Sequence, residues 1–302
     1  MPVLDVGPRV AARTPAGWAD APYERFTVLP LSPTIGAEIG GVDLGEPMDD
    51  ELHAELRRAL LEWKVLFFRE QDITREQQRA FALRWGSLEQ HPFYKYVQPG
   101  KTQDDEDVVR LAKDRMSPGV ENEWHQDLTW HAQPSFGAVL RAVEVPTVGG
   151  DTLWADCAAA YDGLPAAVRE QIDGLQAEHD WRQTFGLAMD QDLAAELAPI
   201  FPPSVHPVVR VHPETGRRTL FVNAIFTQRL VGVAPDESEA LLELLVAQFR
   251  KPEYQCRFRW TPGSVAFWDN RATAHYAASD CHPQPRVMDR ISVAGDTPFG
   301  PT

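Results

Sequence analysis

Cysteine is scarce in this 302-residue chain, which contains only Cys157, Cys256 and Cys281. An odd number with no C-x-x-C spacing argues against a disulfide scaffold and a zinc ribbon, and reads as free thiols. No apolar run approaches the ~20 residues of a membrane-spanning helix. The stretch Met1 to Phe26 carries Asp5, Arg9, Arg13, Asp20 and Glu24 and lacks an apolar h-region, so it does not read as a signal peptide. Positive charge is also short: 29 basic residues face 44 acidic ones, a formal charge of −15. Phosphate backbones and anionic lipid both repel such a chain, which argues against nucleic-acid and membrane partners and for a cytoplasmic protein. There is no G-x-G-x-x-G, no Walker motif, no internal repeat and no βαβ rhythm. What is present, 43% hydrophobic and 24% charged residues, suffices for a large globular core.

Residues 1–24, rich in Pro, Ala, Gly and Arg without a period, predict a poorly ordered extension ahead of one domain over 25–302. Leu52, Leu56, Ala59 and Leu60 behind Asp49 and Asp50 predict a helix, and Val65 to Phe68 a buried strand. Thr74 and Gln77 form a capping box for a second helix that Gly86 should close. A third helix opens at Pro235 and Asp236, with Glu239 as its box partner, and stops before Pro252. Strand signals dominate the second half: Ala138 to Val145, Thr152 to Trp154, Pro207 to Val211, Thr219 to Val222, Cys256 to Trp260 and Val265 to Trp268. Pro213 to Gly216 marks a hairpin, and Gly186 to Ser204 is a lid or a surface excursion. The pattern is mainly β with flanking helices, an antiparallel jelly roll buttressed on one side.

Chemistry gathers at Trp124-His125-Gln126-Asp127. On a strand His125 and Asp127 would share a face, though H-x-D alone has the false-positive risk of any short motif. Trp268-Asp269-Asn270-Arg271 followed by His275 offers a third ligand. Two histidines and one carboxylate make the facial triad of non-haem Fe(II) oxygenases, which leaves open positions for a 2-oxo acid and dioxygen. Zinc accepts the same ligands, so a zinc hydrolase and a silent binding protein stay open at this point. His53 and Glu55 also form H-x-E, but two residues apart on a helix they do not face each other. His131 reads as a neighbour of the site or a surface residue. Arg286 and Arg290 share strand parity and would meet two anionic partners, which guanidinium groups grip bidentately.

Taken in order, these strings resemble the taurine dioxygenase branch of the Fe(II)/2-oxoglutarate-dependent dioxygenases from about Phe26 onward. The resemblance is carried by Ile35 to Glu38, His91-Pro92-Phe93-Tyr94, Trp124 to Asp127, Gly149 to Trp154, His206 to Arg210, Phe221-Val222-Asn223, Trp268 to Arg271 and Gly295-Asp296. It implies a double-stranded β-helix (cupin-like), Fe(II) on His125, Asp127 and His275, and 2-oxoglutarate and O2 as co-substrates. Thr152 and Arg286 fall where the family holds the distal carboxylate of 2-oxoglutarate. His91, Arg290 and the Leu128 amide fall at its sulfonate site, Tyr94 at the amine end of the substrate and Phe185 at an aromatic wall. One departure is Glu121, which stands where taurine enzymes place an asparagine. The implied reaction hydroxylates the carbon next to a sulfonate of taurine or a similar small organosulfur compound, releasing sulfite, succinate and CO2. An alkyl sulfate ester or an aryloxyalkanoate is the alternative substrate, and a homo-oligomer is compatible with this reading.

Overall fold

The structure, a computed structural model, describes residues 11–19, 21–93, 107–113 and 123–302. Its first third runs β1 (Thr27–Pro30), β2 (Ala37–Gly40), α1 (Asp50–Trp63), β3 (Val65–Phe68), α2 (Arg75–Leu83), β4 (Leu88–Glu89) and β5 (Val109–Lys113). The middle continues with β6 (Gly137–Glu144), β7 (Thr152–Asp156), α3 (Cys157–Asp162), α4 (Ala166–Ile172), β8 (Gln176–His179), α5 (Phe185–Ala188) and α6 (Gln191–Leu197). Then come β9 (Ser204–Pro207), β10 (Val209–Val211), β11 (Arg218–Leu220) and β12 (Thr227–Leu230). The last segment holds α7 (Pro235–Gln248), β13 (Gln255–Phe258), β14 (Val265–Asp269), β15 (Thr273–Ala277) and β16 (Arg286–Val293). The chain is mostly β-sheet with some helices.

Eight strands form one sheet in the order β1-β2-β3-β14-β6-β16-β4, with β5 also paired to β16. A second sheet of three, β13-β7-β15, faces it. Strand alternation decides what lies between them: Phe67, Trp268 and Met288 of the large sheet meet Trp154 and Phe258 of the small one. On the outer face of the large sheet Leu66, Phe267 and Ile291 pack against Leu56 and Leu60 of α1 and Phe81 of α2. The small sheet is covered in turn by α3, α4 and α7, through Ala159, Ile172, Leu241 and Leu245. Helices therefore cover both sheets, where the sequence pattern predicts one buttressed side. Burial on both faces is why Val265 to Phe267 is apolar at every position.

Local chemistry sets the helix ends. Asp49 accepts the Leu52 amide of α1 at 2.8 Å, and Lys64 closes that helix in the left-handed region. The reciprocal bonds of the Thr74–Gln77 box are present, but α2 ends at Leu83, three residues before Gly86. For α7 the expected side-chain cap is absent: Ala234 is the capping residue and Pro235 the first helical one. The run Pro207 to Val211 is not one strand, because β9 pairs with β8 while β10 forms the predicted hairpin with β11. The Gly186 to Ser204 segment contains α5 and α6 and packs into a cluster with Phe93, Trp130, Trp181 and Phe226. Of the N-terminal extension, Arg13 reaches Glu62 of α1 at 2.8 Å and the Tyr23 hydroxyl reaches it at 2.6 Å.

Candidate active site

His125 and Asp127 are not on a regular strand, contrary to the alternation argument. His125 makes an isolated bridge to His275 of β15, and Asp127 lies in the turn that follows. The two histidines exchange both backbone bonds, His125 N to His275 O at 3.0 Å and His275 N to His125 O at 2.7 Å. Directly opposed residues present their side chains on one face, so the imidazoles stand 4.1 Å apart, centroid to centroid. Each Nε2 faces Asp127 Oδ1, at 4.0 Å from His125 and 3.9 Å from His275.

The donor set suits a divalent metal, with one ligand atom from each residue, all within 4.8 Å of one another. Two local details agree. His125 Nδ1 lies 3.0 Å from the Glu123 carbonyl, which assigns the proton to Nδ1 and leaves Nε2 its lone pair. Asp127 Oδ2 is buried with no hydrogen-bond partner among the described residues. Burial, with help from the neighbouring His125, lowers His275 to about 3, so its imidazole is neutral at physiological pH. Burial alone would raise Asp127, but Arg290, His275 and His125 outweigh it and hold the carboxyl at about 2. Arg290 supplies that effect directly, donating from Nη1 to Asp127 Oδ1 at 3.0 Å.

A second polar pair sits further along the inner face of β16. Arg286 Nη2 donates to Thr152 Oγ1 at 3.2 Å and its Nε to the Gly150 carbonyl at 2.8 Å. Gly150 has φ +70°, and a Cβ there would lie 3.0 Å from Arg286 Cδ, so both backbone and space call for glycine. Trp260, which sequence reasoning gave no role, donates Nε1 to the same Thr152 oxygen at 3.0 Å. With two donors already on that oxygen, the hydroxyl proton of Thr152 is left to be donated elsewhere.

His91 accepts the Phe93 amide on Nδ1 at 3.2 Å, which leaves Nε2–H as its outward donor. Burial and the nearby Arg290 lower His91 to about 4. Phe185, at the start of α5, stands edge-on to His91 with centroids 5.7 Å apart. Leu128 follows the triad carboxylate with φ 52°. Tyr94 and Glu121 lie outside the described residues, as does most of the loop around them. His53 packs on Trp85 and Glu55 takes the backbone amides of Glu24 and Arg25, so neither joins the triad. His131 serves through its carbonyl, which lies 2.9 Å from His206 Nε2. Glu89 was also missed: it accepts from the Ser135 hydroxyl, and burial raises its carboxyl to about 7.

Comparison with known proteins agrees with this geometry. The chain is similar to an alpha-ketoglutarate-dependent sulfate ester dioxygenase of Pseudomonas putida, 36% identical over 94% of this chain and 95% of that protein. An alkylsulfatase of Acinetobacter baylyi is 34% identical over 92% and 88%. A solved taurine dioxygenase from Burkholderia xenovorans superposes with a TM-score of 0.78 at 41% identity, covering 92% of each chain. The model of the family described as taurine catabolism dioxygenase TauD, TfdA matches residues 27–292, most of the chain, and to that family this protein belongs.

Proposed function

We propose that this protein is an Fe(II)/2-oxoglutarate-dependent dioxygenase that hydroxylates the carbon bearing the sulfonate or sulfate head of a small organosulfur anion. The observation that carries the reading is the meeting at Asp127 Oδ1 of two imidazoles and the Arg290 guanidinium, with the Thr152–Arg286 pair on the same inner surface. His125, Asp127 and His275 would hold the iron, which with 2-oxoglutarate supplies the activation of dioxygen. Arg286 and the free proton of Thr152 would grip the distal carboxylate of 2-oxoglutarate. Arg290, His91 Nε2–H and the Leu128 amide would cradle the anionic head, beside the Phe185 ring. Tyr94 belongs to the same reading, as the residue at the far end of the substrate. A zinc hydrolase would give Thr152 and Arg286 no work. The fold belonging to this reading is a double-stranded β-helix, a jelly roll of two facing sheets, forming one catalytic domain over 25–302 in the cytoplasm.

Sulfonate and sulfate ester differ in the product: hydroxylation next to a sulfonate expels sulfite and leaves an aldehyde, whereas hydroxylation next to a sulfate ester expels sulfate. Phe185 and the relatives named above favour an alkyl sulfate as the second reading after taurine or a similar sulfonate. The test measures succinate, sulfite and sulfate with Fe(II), 2-oxoglutarate and either taurine, hexyl sulfate or phenoxyacetate. Either organosulfur compound should raise succinate formation at least tenfold over the uncoupled rate, with the matching inorganic product. A preference for phenoxyacetate, or stimulation by none, would defeat the organosulfur reading.

A further inference from the structure

Asn270 occupies the turn after β14 and is 1% exposed. Its backbone amide is fixed to the Phe136 carbonyl at 2.9 Å, and Asp269 beside it binds His212 Nε2 at 3.0 Å and Arg271 Nε at 2.9 Å. From this rigid base the side-chain Oδ1 accepts the Asp127 amide at 2.8 Å, while Nδ2 donates to the Asp127 carbonyl and the Ser135 carbonyl, both at 3.1 Å. One side-chain amide therefore takes both backbone polar groups of a triad residue, the service a neighbouring strand would otherwise perform. In a trans peptide the C=O and the following N–H point in opposite directions. Fixing the Asp127 carbonyl thus also aims the Leu128 amide away from Asn270. That peptide needs holding, because at φ 52° a leucine is strained. No acceptor among the described residues meets the Leu128 amide.

The geometry points to Asn270 as a positioning residue that sets, through one peptide, both the Asp127 carboxylate and the Leu128 amide donor for the substrate's anionic head. The second half rests on the anion cradle proposed above. Asn270→Asp is isosteric and keeps the acceptor for the Asp127 amide, but it turns an oxygen toward two carbonyls; Asn270→Ala removes the clamp without adding charge. Calorimetric titrations of the anaerobic protein would follow Mn(II), then 2-oxoglutarate at saturating Mn(II), then hexyl sulfate.

Both variants should lose tenfold or more in affinity for Mn(II) and for hexyl sulfate, with 2-oxoglutarate affinity held within threefold. A purely structural asparagine would lower thermal stability and leave the ratio of hexyl sulfate to 2-oxoglutarate affinity unchanged, which would overturn the proposal. So would failure of both variants to fold. Arg290→Gln separates the two readings. If it binds hexyl sulfate as tightly as the wild type, the cradle is wrong and the Mn(II) titration alone decides Asn270. If Arg290→Gln loses hexyl sulfate while the Asn270 variants keep it, the cradle stands and Asn270 does not position the Leu128 amide.

Discussion

Asp127 Oδ1 concentrates the chemistry, since two imidazoles and a guanidinium converge on one oxygen. The two inward arginines of β16 are chemically alike but serve different neighbours, so their loss should be felt differently. Arg286→Ala should raise KM for 2-oxoglutarate, and Arg290→Ala should raise KM for the organosulfur substrate. A charge-assisted bond of about 1.5 to 3 kcal/mol corresponds to roughly a ten- to hundredfold change. Steady-state kinetics with each substrate varied in turn would show it, and an Arg290 variant affecting only 2-oxoglutarate would reverse the assignment. At this scale the H-x-D pair and His275 were legible as side-chain chemistry. Their convergence was expected from the facial-triad set and the family resemblance, and the structure brings the three together; the bridge that opposes His125 to His275 was not foreseen, because it joins residues far apart in the chain. Asn270 stood in view within Trp268 to Arg271, yet its value lies in hydrogen bonds to another turn, which no local pattern announces.

Strand β16 shows how much a single element carries. Its inner positions hold Arg286, Met288 and Arg290, while Asp289 points outward into Arg75 of α2, Arg110 of β5 and Arg141 of β6. Burial would raise Asp289, but hydrogen bonds from Arg110 and Arg75 prevail and lower it to about 2. A carboxyl lowered in the fold stabilises above its ordinary value of 3.8, and loses that contribution as the pH falls through about 2. Asp289→Asn should cost about 1 to 2 kcal/mol at pH 7, discounted for the solvent around the arginines. Urea unfolding from pH 7 to pH 2 should show the gap between variant and wild type closing below about pH 4, near the 3.8 reference; a gap constant over that range would refute the ion-pair account. Elements with a cap or an unbroken apolar run, such as α2 and β14, were readable from sequence. By contrast α3, Cys157–Asp162, escaped because nearly all its residues are buried and it shows no polar face. Short strands such as β4 and β5 were invisible for a different reason, being strands only because β16 pairs with them.

At the scale of the whole molecule the triad joins segments about 150 residues apart, from His125 to His275, so metal binding should stabilise the fold. Mn(II) at about a hundred times its Kd would add ~2.7 kcal/mol, several degrees in Tm. His275→Ala should abolish both turnover and this shift, while melting as a cooperative fold without metal. Thermal melts with and without Mn(II) measure it, and a full shift in the variant would remove His275 from the ligand set. The family strings were readable in order along the chain, whereas the layering of helices over both sheets was not, since that depends on which faces the strands turn outward. The position of β16 has a further consequence for biosynthesis. It follows the other described strands in the sequence yet belongs between β6 and β4, inside the large sheet. A nascent chain stopped just before Arg286 already carries every triad residue, but lacks both arginines and the strand that unites its sheet, so the large sheet cannot come together until β16 has been made.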